Sequence, residues 1–144
     1  MVTIVKNSVM PSPLETVREK IRDFNALPLH HPAVAHSHIE DNLPSDHIGC
    51  IRCFNLKQGG TFRERLVVLD DTQHICAYSI LESPIPVQNY VATIHLTPVA
   101  NSGSTSMQWT VQFDCQPEQE AELTAWIGNI LQDGFGCIKN MLMH

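Results

Sequence analysis

The sequence predicts an α+β domain in which one curved, seven-stranded antiparallel sheet wraps around a long C-terminal helix. One or two short helices fall between the first and second strands. Three observations lead there. From Val34 to Phe113 the chain is strand-like throughout, cut by the turn signals LPSD, QGG, DDTQ, SPIP and NSGS. Links that short join strands that pair antiparallel. After Pro117 the period changes, and Leu123, Ile127, Ile130, Leu131, Ile138 and Leu142 follow helical spacing. The 144 residues suit one domain, 1–144, large enough for a hydrophobic core without disulfide or metal staples.

The elements follow in order. VTIVKNSVM (2–10) is β-branched and loosely alternating, hence a first strand. In SPLETVREKIRDF, Ser12 suits an N-cap, Pro13 the first helical position and Glu15 the partner of a capping box. Leu14, Val17, Ile21 and Phe24 form that helix's apolar face. NALPLHHP, broken by prolines, predicts a short turn or helix. Strands are expected near 34–41, 48–57, 61–70, 74–82, 87–98 and 105–115. The final helix, about 25 residues or roughly 37 Å long, contains Gly128, Gly134 and Gly136. A sheet gripping a helix in this way leaves room for a cavity between them.

Composition narrows the function classes. Nine Lys and Arg against fifteen Asp and Glu give a net charge of −6. With no basic run, nucleic acid and anionic membranes are poor partners. No apolar run approaches the ~18 residues of a membrane span. MVTIVKNSVMPSP lacks the apolar core and cleavage site of a signal peptide. Five cysteines are an odd number without a framework, so a cytoplasmic location is expected. Monomer and dimer both remain open.

An arginine lies within the apolar stretch GCIRCFNL. Residues of equal parity share a strand face, which groups Ile48, Cys50, Arg52, Phe54 and Leu56. On the next strand Phe62, Glu64, Leu66 and Val68 share the inner face, because Arg63 and Arg65 turn the other face to water. A three-residue loop, Gln58-Gly59-Gly60, would set Arg52 opposite Leu66 and diagonal to Glu64. A five-residue loop would set Arg52 opposite Glu64, and a two-residue loop would part them. Two charges on an inner face must pair, since an isolated buried charge is very costly. Such a pair is either structural or a site, where Arg holds an oxygen and Glu moves a proton. The inner face continues through Tyr78, Ile80 and Glu82, then Tyr90, Ala92, Ile94 and Leu96, then Met107, Trp109, Val111 and Phe113. That wall describes a small-molecule pocket and an ordinary core equally well.

Cys50 and Cys53 differ in parity, so their thiols point to opposite faces and suit neither a shared metal nor a redox pair. His30, His31, His36 and His38 cluster in sequence, but no spacing forces a third metal ligand upon them. No metal site is expected. Neither a nucleophile elbow, a zinc-protease signature nor a phosphate loop occurs.

The segments LHHPAV, IGCIR, FRERLVVLDD, AYSILESPIPVQNYVATI and the W-x-V-x-F of the last strand resemble the SRPBCC superfamily. These are the START and birch-pollen-allergen-like helix-grip proteins, and the polyketide cyclase/dehydrase type is the nearest. The middle segment is also similar to plant lachrymatory factor synthases. That resemblance implies a catalytic arginine at Arg52, in Gly49-Cys50-Ile51-Arg52, and a catalytic glutamate at Glu64, in Glu64-Arg65-Leu66. It implies pocket aromatics at Tyr78, Tyr90 and Trp109. The family's Trp-His-Pro becomes His30-His31-Pro32 here, which keeps His31 at the pocket mouth and changes the pocket's shape. With the inner-face residues Phe54 and Glu82, these form the expected ligand wall. The expectation is a small hydrophobic ligand, with a cofactor-free cyclisation, dehydration or isomerisation at the Arg–Glu pair. A non-catalytic carrier or sensor of a hydrophobic ligand or lipid is the alternative.

Overall fold

A computed structural model describes residues 1–143. The first strand, β1 (Val2–Met10), leads into helices α1 (Leu14–Arg22) and α2 (Ala26–His30). Six strands follow: β2 (Val34–Ile39), β3 (Ile51–Leu56), β4 (Thr61–Asp70), β5 (Ile75–Glu82), β6 (Gln88–Val99) and β7 (Ser104–Asp114). The chain ends in α3 (Glu120–Leu142). All seven strands form one antiparallel sheet in the order β1-β7-β6-β5-β4-β3-β2. The first strand thus returns to pair with the last, and the sheet curves around α3.

The alternation in β6 and β7 governs the core. Tyr90, Ala92, Ile94 and Leu96 are buried, as are Met107, Trp109, Val111 and Phe113. Against them α3 packs Leu123, Ile127, Leu131, Phe135 and Ile138. The helix runs 23 residues without a break, roughly 34 Å. Its glycines cost helix propensity but allow close approach. A Cβ on Gly134 would lie 2.6 Å from the Trp109 indole, so the helix touches that ring only because residue 134 has no side chain.

Several expectations need correction. Pro13, not Ser12, is the N-cap of α1, with no side-chain cap bond, and helix begins at Leu14. Ser12 instead offers its carbonyl to the buried Thr105 hydroxyl, 2.8 Å away. Strand β2 ends at Ile39, where a 3-10 turn over Glu40–Asn42 takes over. Strand β3 begins at Ile51, because Gly49 adopts φ +97° and Ile48 swings into solvent. In β4 a bulge between Leu66 and Val68 shifts the alternation, so Val67 and Val68 are both exposed while Leu69 packs on the core.

The β3–β4 turn decides how the arginine and glutamate meet. Asn55 pairs with Thr61, leaving a five-residue loop, and Leu56 N–H donates to the Gly60 carbonyl. Gly59 and Gly60 both have φ +101°, which a side chain would oppose. Phe54 consequently faces Phe62 and Arg52 faces Glu64 directly, rather than along the diagonal that the shorter loop would give.

Candidate ligand-binding site

A cavity of about 90 Å³ lies between the concave sheet face and α3. It is smaller than the roughly 300–1,000 Å³ of pockets that hold drug-sized molecules. Strand β3 contributes Phe54, β4 Phe62 and Glu64, β5 Tyr78 and β6 Tyr90. Trp109 comes from β7, His31 from the end of α2, and Trp126 and Gly134 from α3. Phe54 and Phe62 stack at 5.1 Å between centroids, and Phe62 lies nearly parallel to Trp126 at 6.5 Å. These three rings and aliphatic side chains make an apolar wall that favours a flat, uncharged guest.

Arg52 and Glu64 form a buried ion pair. Arg52 Nε donates to Glu64 Oε1 at 2.7 Å, with both side chains 6% exposed. Arg52 Nη1 donates to the Phe24 carbonyl at 2.8 Å. Its guanidinium carbon lies 4.0 Å from the Phe24 ring centre and 4.4 Å from that of Tyr78. Two rings therefore sandwich the cation. Burial pulls the Arg52 pKa down, but the Glu64 charge and hydrogen bond more than offset this, and the net direction is up. The guanidinium stays charged and fixed. It does not line the main cavity, but borders a void of about 20 Å³ behind Tyr78.

Glu64 reaches the main cavity, and Arg52 engages its Oε1. Among the described residues no protein donor bonds Oε2. Burial, with the Glu64 charge as a second cause, pushes the Tyr78 phenol above its usual range. The Tyr90 phenol rises well above it, from burial and the neighbouring Tyr78. Both remain neutral hydroxyls. Trp109 packs edge-on against Phe135 at 5.6 Å, and its buried Nε1 has no hydrogen-bond acceptor of good geometry.

The structure gathers His31, Phe54, Glu64, Tyr78, Tyr90 and Trp109 around one space. It sets Arg52 behind Tyr78 and leaves Glu82 outside. A bulge between Arg63 and Glu64 brings Arg63 opposite Glu82 at the exposed end of β5, where they bond at 2.8 Å. Three further residues matter: Phe24, which clamps Arg52, Trp126, which closes the aromatic stack, and Gly134. Gly134 follows Ile127 by seven residues on the helix stripe, a spacing visible in the sequence. Trp126 lies beside that stripe and carries no such signal. Cys50, just before β3, is buried in the core, and Cys53, within β3, is half-buried. No helix among the described residues is long and apolar enough to cross a membrane.

Fold and cavity together define a helix-grip protein with a cavity between its sheet and its long helix. The family described as polyketide cyclase/dehydrase and lipid transport matches residues 1–141, and the chain belongs to it. No curated protein matches the chain. Among solved structures, XoxI from Bacillus cereus is 25% identical, with a TM-score of 0.85, covering 99% of this chain and 96% of that one. A START superfamily protein from Mycobacterium smegmatis is 13% identical, with a TM-score of 0.80 and coverage of 98% and 97%. Norcoclaurine synthase from Thalictrum flavum is 15% identical, with a TM-score of 0.80 and coverage of 99% and 86%. The latter two likenesses show the shared fold.

Proposed function

We propose that this protein binds a small, largely apolar molecule between the sheet and α3, and that Glu64 acts on it as a general base. One observation carries the reading. A carboxylate lines a mainly apolar cavity, one oxygen held by a buried arginine and the other without a protein donor. Arg52 fixes the carboxylate and balances its charge, and is a positioning residue. In a dry cavity such a base suffices for enolisation, cyclisation, dehydration or isomerisation, with no cofactor. The polyketide cyclase/dehydrase family supports that class of chemistry.

A carrier is the second reading. It is favoured by the placement of Arg52, bonded to Glu64 and the Phe24 carbonyl and sandwiched behind Tyr78, which leaves the cavity without a cationic acid facing the base. Both readings require an open cavity. Native mass spectrometry with a panel of small neutral molecules tests it, using wild type beside Ile80→Trp, which fills the cavity. Adducts are expected on wild type and absent from the filled variant. Adducts of equal intensity on both would place binding elsewhere and end both readings.

A further inference from the structure

Two buried nitrogens in the cavity wall lack a well-formed hydrogen bond: His31 Nε2, and Trp109 Nε1, which lies near the Tyr78 hydroxyl at poor geometry. The indole nitrogen is a donor only. The histidine is made a donor by its neighbour. Ala33 N–H donates to His31 Nδ1 at 3.1 Å, so Nδ1 keeps its lone pair and the neutral ring carries its proton on Nε2. Burial favours that neutral ring, against the opposing charge of Asp133. The Asp133 charge acts on His31, and the next residue, Gly134, packs against the benzo edge of the Trp109 indole, away from its nitrogen. Buried N–H groups left unmade are costly, so an occupant that supplies an acceptor gains. Arg52 already balances Glu64, and apart from the neutral Tyr78 and Tyr90 hydroxyls the rest of the wall is apolar. An anionic guest would thus meet a carboxylate with no free cation beside it.

We infer that the cavity selects a small uncharged carbonyl compound whose oxygen accepts from the His31 and Trp109 N–H groups. His31, locked as its Nε2–H tautomer by Ala33, is then a specificity-determining residue. This rests on the reading of an open cavity above, and it names the class of occupant. Donors at the oxygen also suit the base. As Glu64 Oε2 takes a proton from the carbon next to the carbonyl, the C–H electron pair forms the C=C bond and the C=O π pair moves onto oxygen, where the N–H groups hold the enolate. The proton returns from Glu64 to restore the ketone, so no other reactant is needed.

The test compares cyclohexanone with methylenecyclohexane, matched in shape but lacking the acceptor, by ligand-observed NMR titration. The measured quantity is the ratio of their affinities in wild type, His31→Phe and Trp109→Phe, each checked for a native melt. The ketone-to-alkene ratio should fall about tenfold in each variant, the effect of one lost buried hydrogen bond. An unchanged ratio in both variants, with both probes still bound, overturns the carbonyl assignment and leaves the open cavity standing. If neither probe binds wild type, the open-cavity reading fails and this inference falls with it. Long-range ¹⁵N–¹H spectra of the wild-type protein, assigned with His31→Phe, give a ligand-free check. They should show the Nε2–H tautomer at pH 7, and an Nδ1–H pattern would overturn the lock.

Discussion

Glu64 and Arg63 are adjacent on β4, and each joins an ion pair, but on opposite faces of the sheet. Inside, Arg52 and Glu64 meet at 2.7 Å with 6% of each side chain exposed. Outside, Arg63 spans Glu40 at 2.7 Å and Glu82 at 2.8 Å, with the Glu82 side chain 64% exposed. The distances are equal and the consequences differ. Water and salt screen the outer pairs, which contribute little. The inner charges were stripped of water, so each depends wholly on the other and on the groups that clamp it. A pair of that kind adds little net stability over a well-packed apolar replacement, yet removing one partner is costly.

The sharpest way to break the contrast is Arg52→Leu. It leaves Glu64 buried and unpaired, and should cost about 3–5 kcal/mol in denaturant unfolding at pH 7. A loss below 1 kcal/mol would mean that the inner pair is as dispensable as the outer one. Gly134→Ala should come next. It drives a methyl into the Trp109 indole, at about 1–3 kcal/mol for overpacking, partly offset by roughly 1 kcal/mol of helix propensity. Net destabilisation with a shifted Trp109 fluorescence is expected, and a more stable variant would show that the helix does not press on the ring. Arg63→Gln should be the mildest, under about 1 kcal/mol and vanishing in 1 M salt. An effect that persists in salt would erase the inner–outer distinction.

Acid adds another contrast. Burial lowers the folded-state pKa of His31, so the unfolded chain binds more protons there. Stability from neutral His31 is full above pH ~6.5 and declines as the pH falls toward the folded value. The Arg63 hydrogen bond lowers the Glu40 pKa, so its contribution fades only at more acidic pH, within and below the carboxylate range. Urea melts of wild type and His31→Phe between pH 4 and 8 should differ in slope near pH 6. Parallel curves would contradict a buried neutral imidazole.

The sheet and the gripping helix were legible because both obey a period. Tyr90 to Leu96 and Met107 to Phe113 alternate without interruption, and the stripe on α3 continues through its glycines. Arg52 and Glu64 were legible as neighbours, but their direct opposition depended on the length of the turn, which two glycines at positive φ lengthen to five residues. Bulges hid the rest. One in β4 turned Val68 outward, and another gave Glu82 to Arg63 instead of the cavity. Parity fixes a face but not a depth. Nothing in the GCIR stretch discloses that Phe24 arrives from the α1–α2 turn with a ring and a carbonyl to hold Arg52 behind Tyr78. The tautomer of His31 likewise depends on a backbone N–H two residues away.

The most direct test of the account is exchange of cyclohexanone α-protons for deuterium in D₂O, followed by NMR with wild type, Glu64→Gln and Glu82→Gln. Wild type and Glu82→Gln should accelerate exchange equally above buffer, and Glu64→Gln should fall to the buffer rate while still binding the ketone. Undiminished exchange in Glu64→Gln, or exchange by wild type no faster than buffer, would contradict Glu64 as the base that this cavity presents.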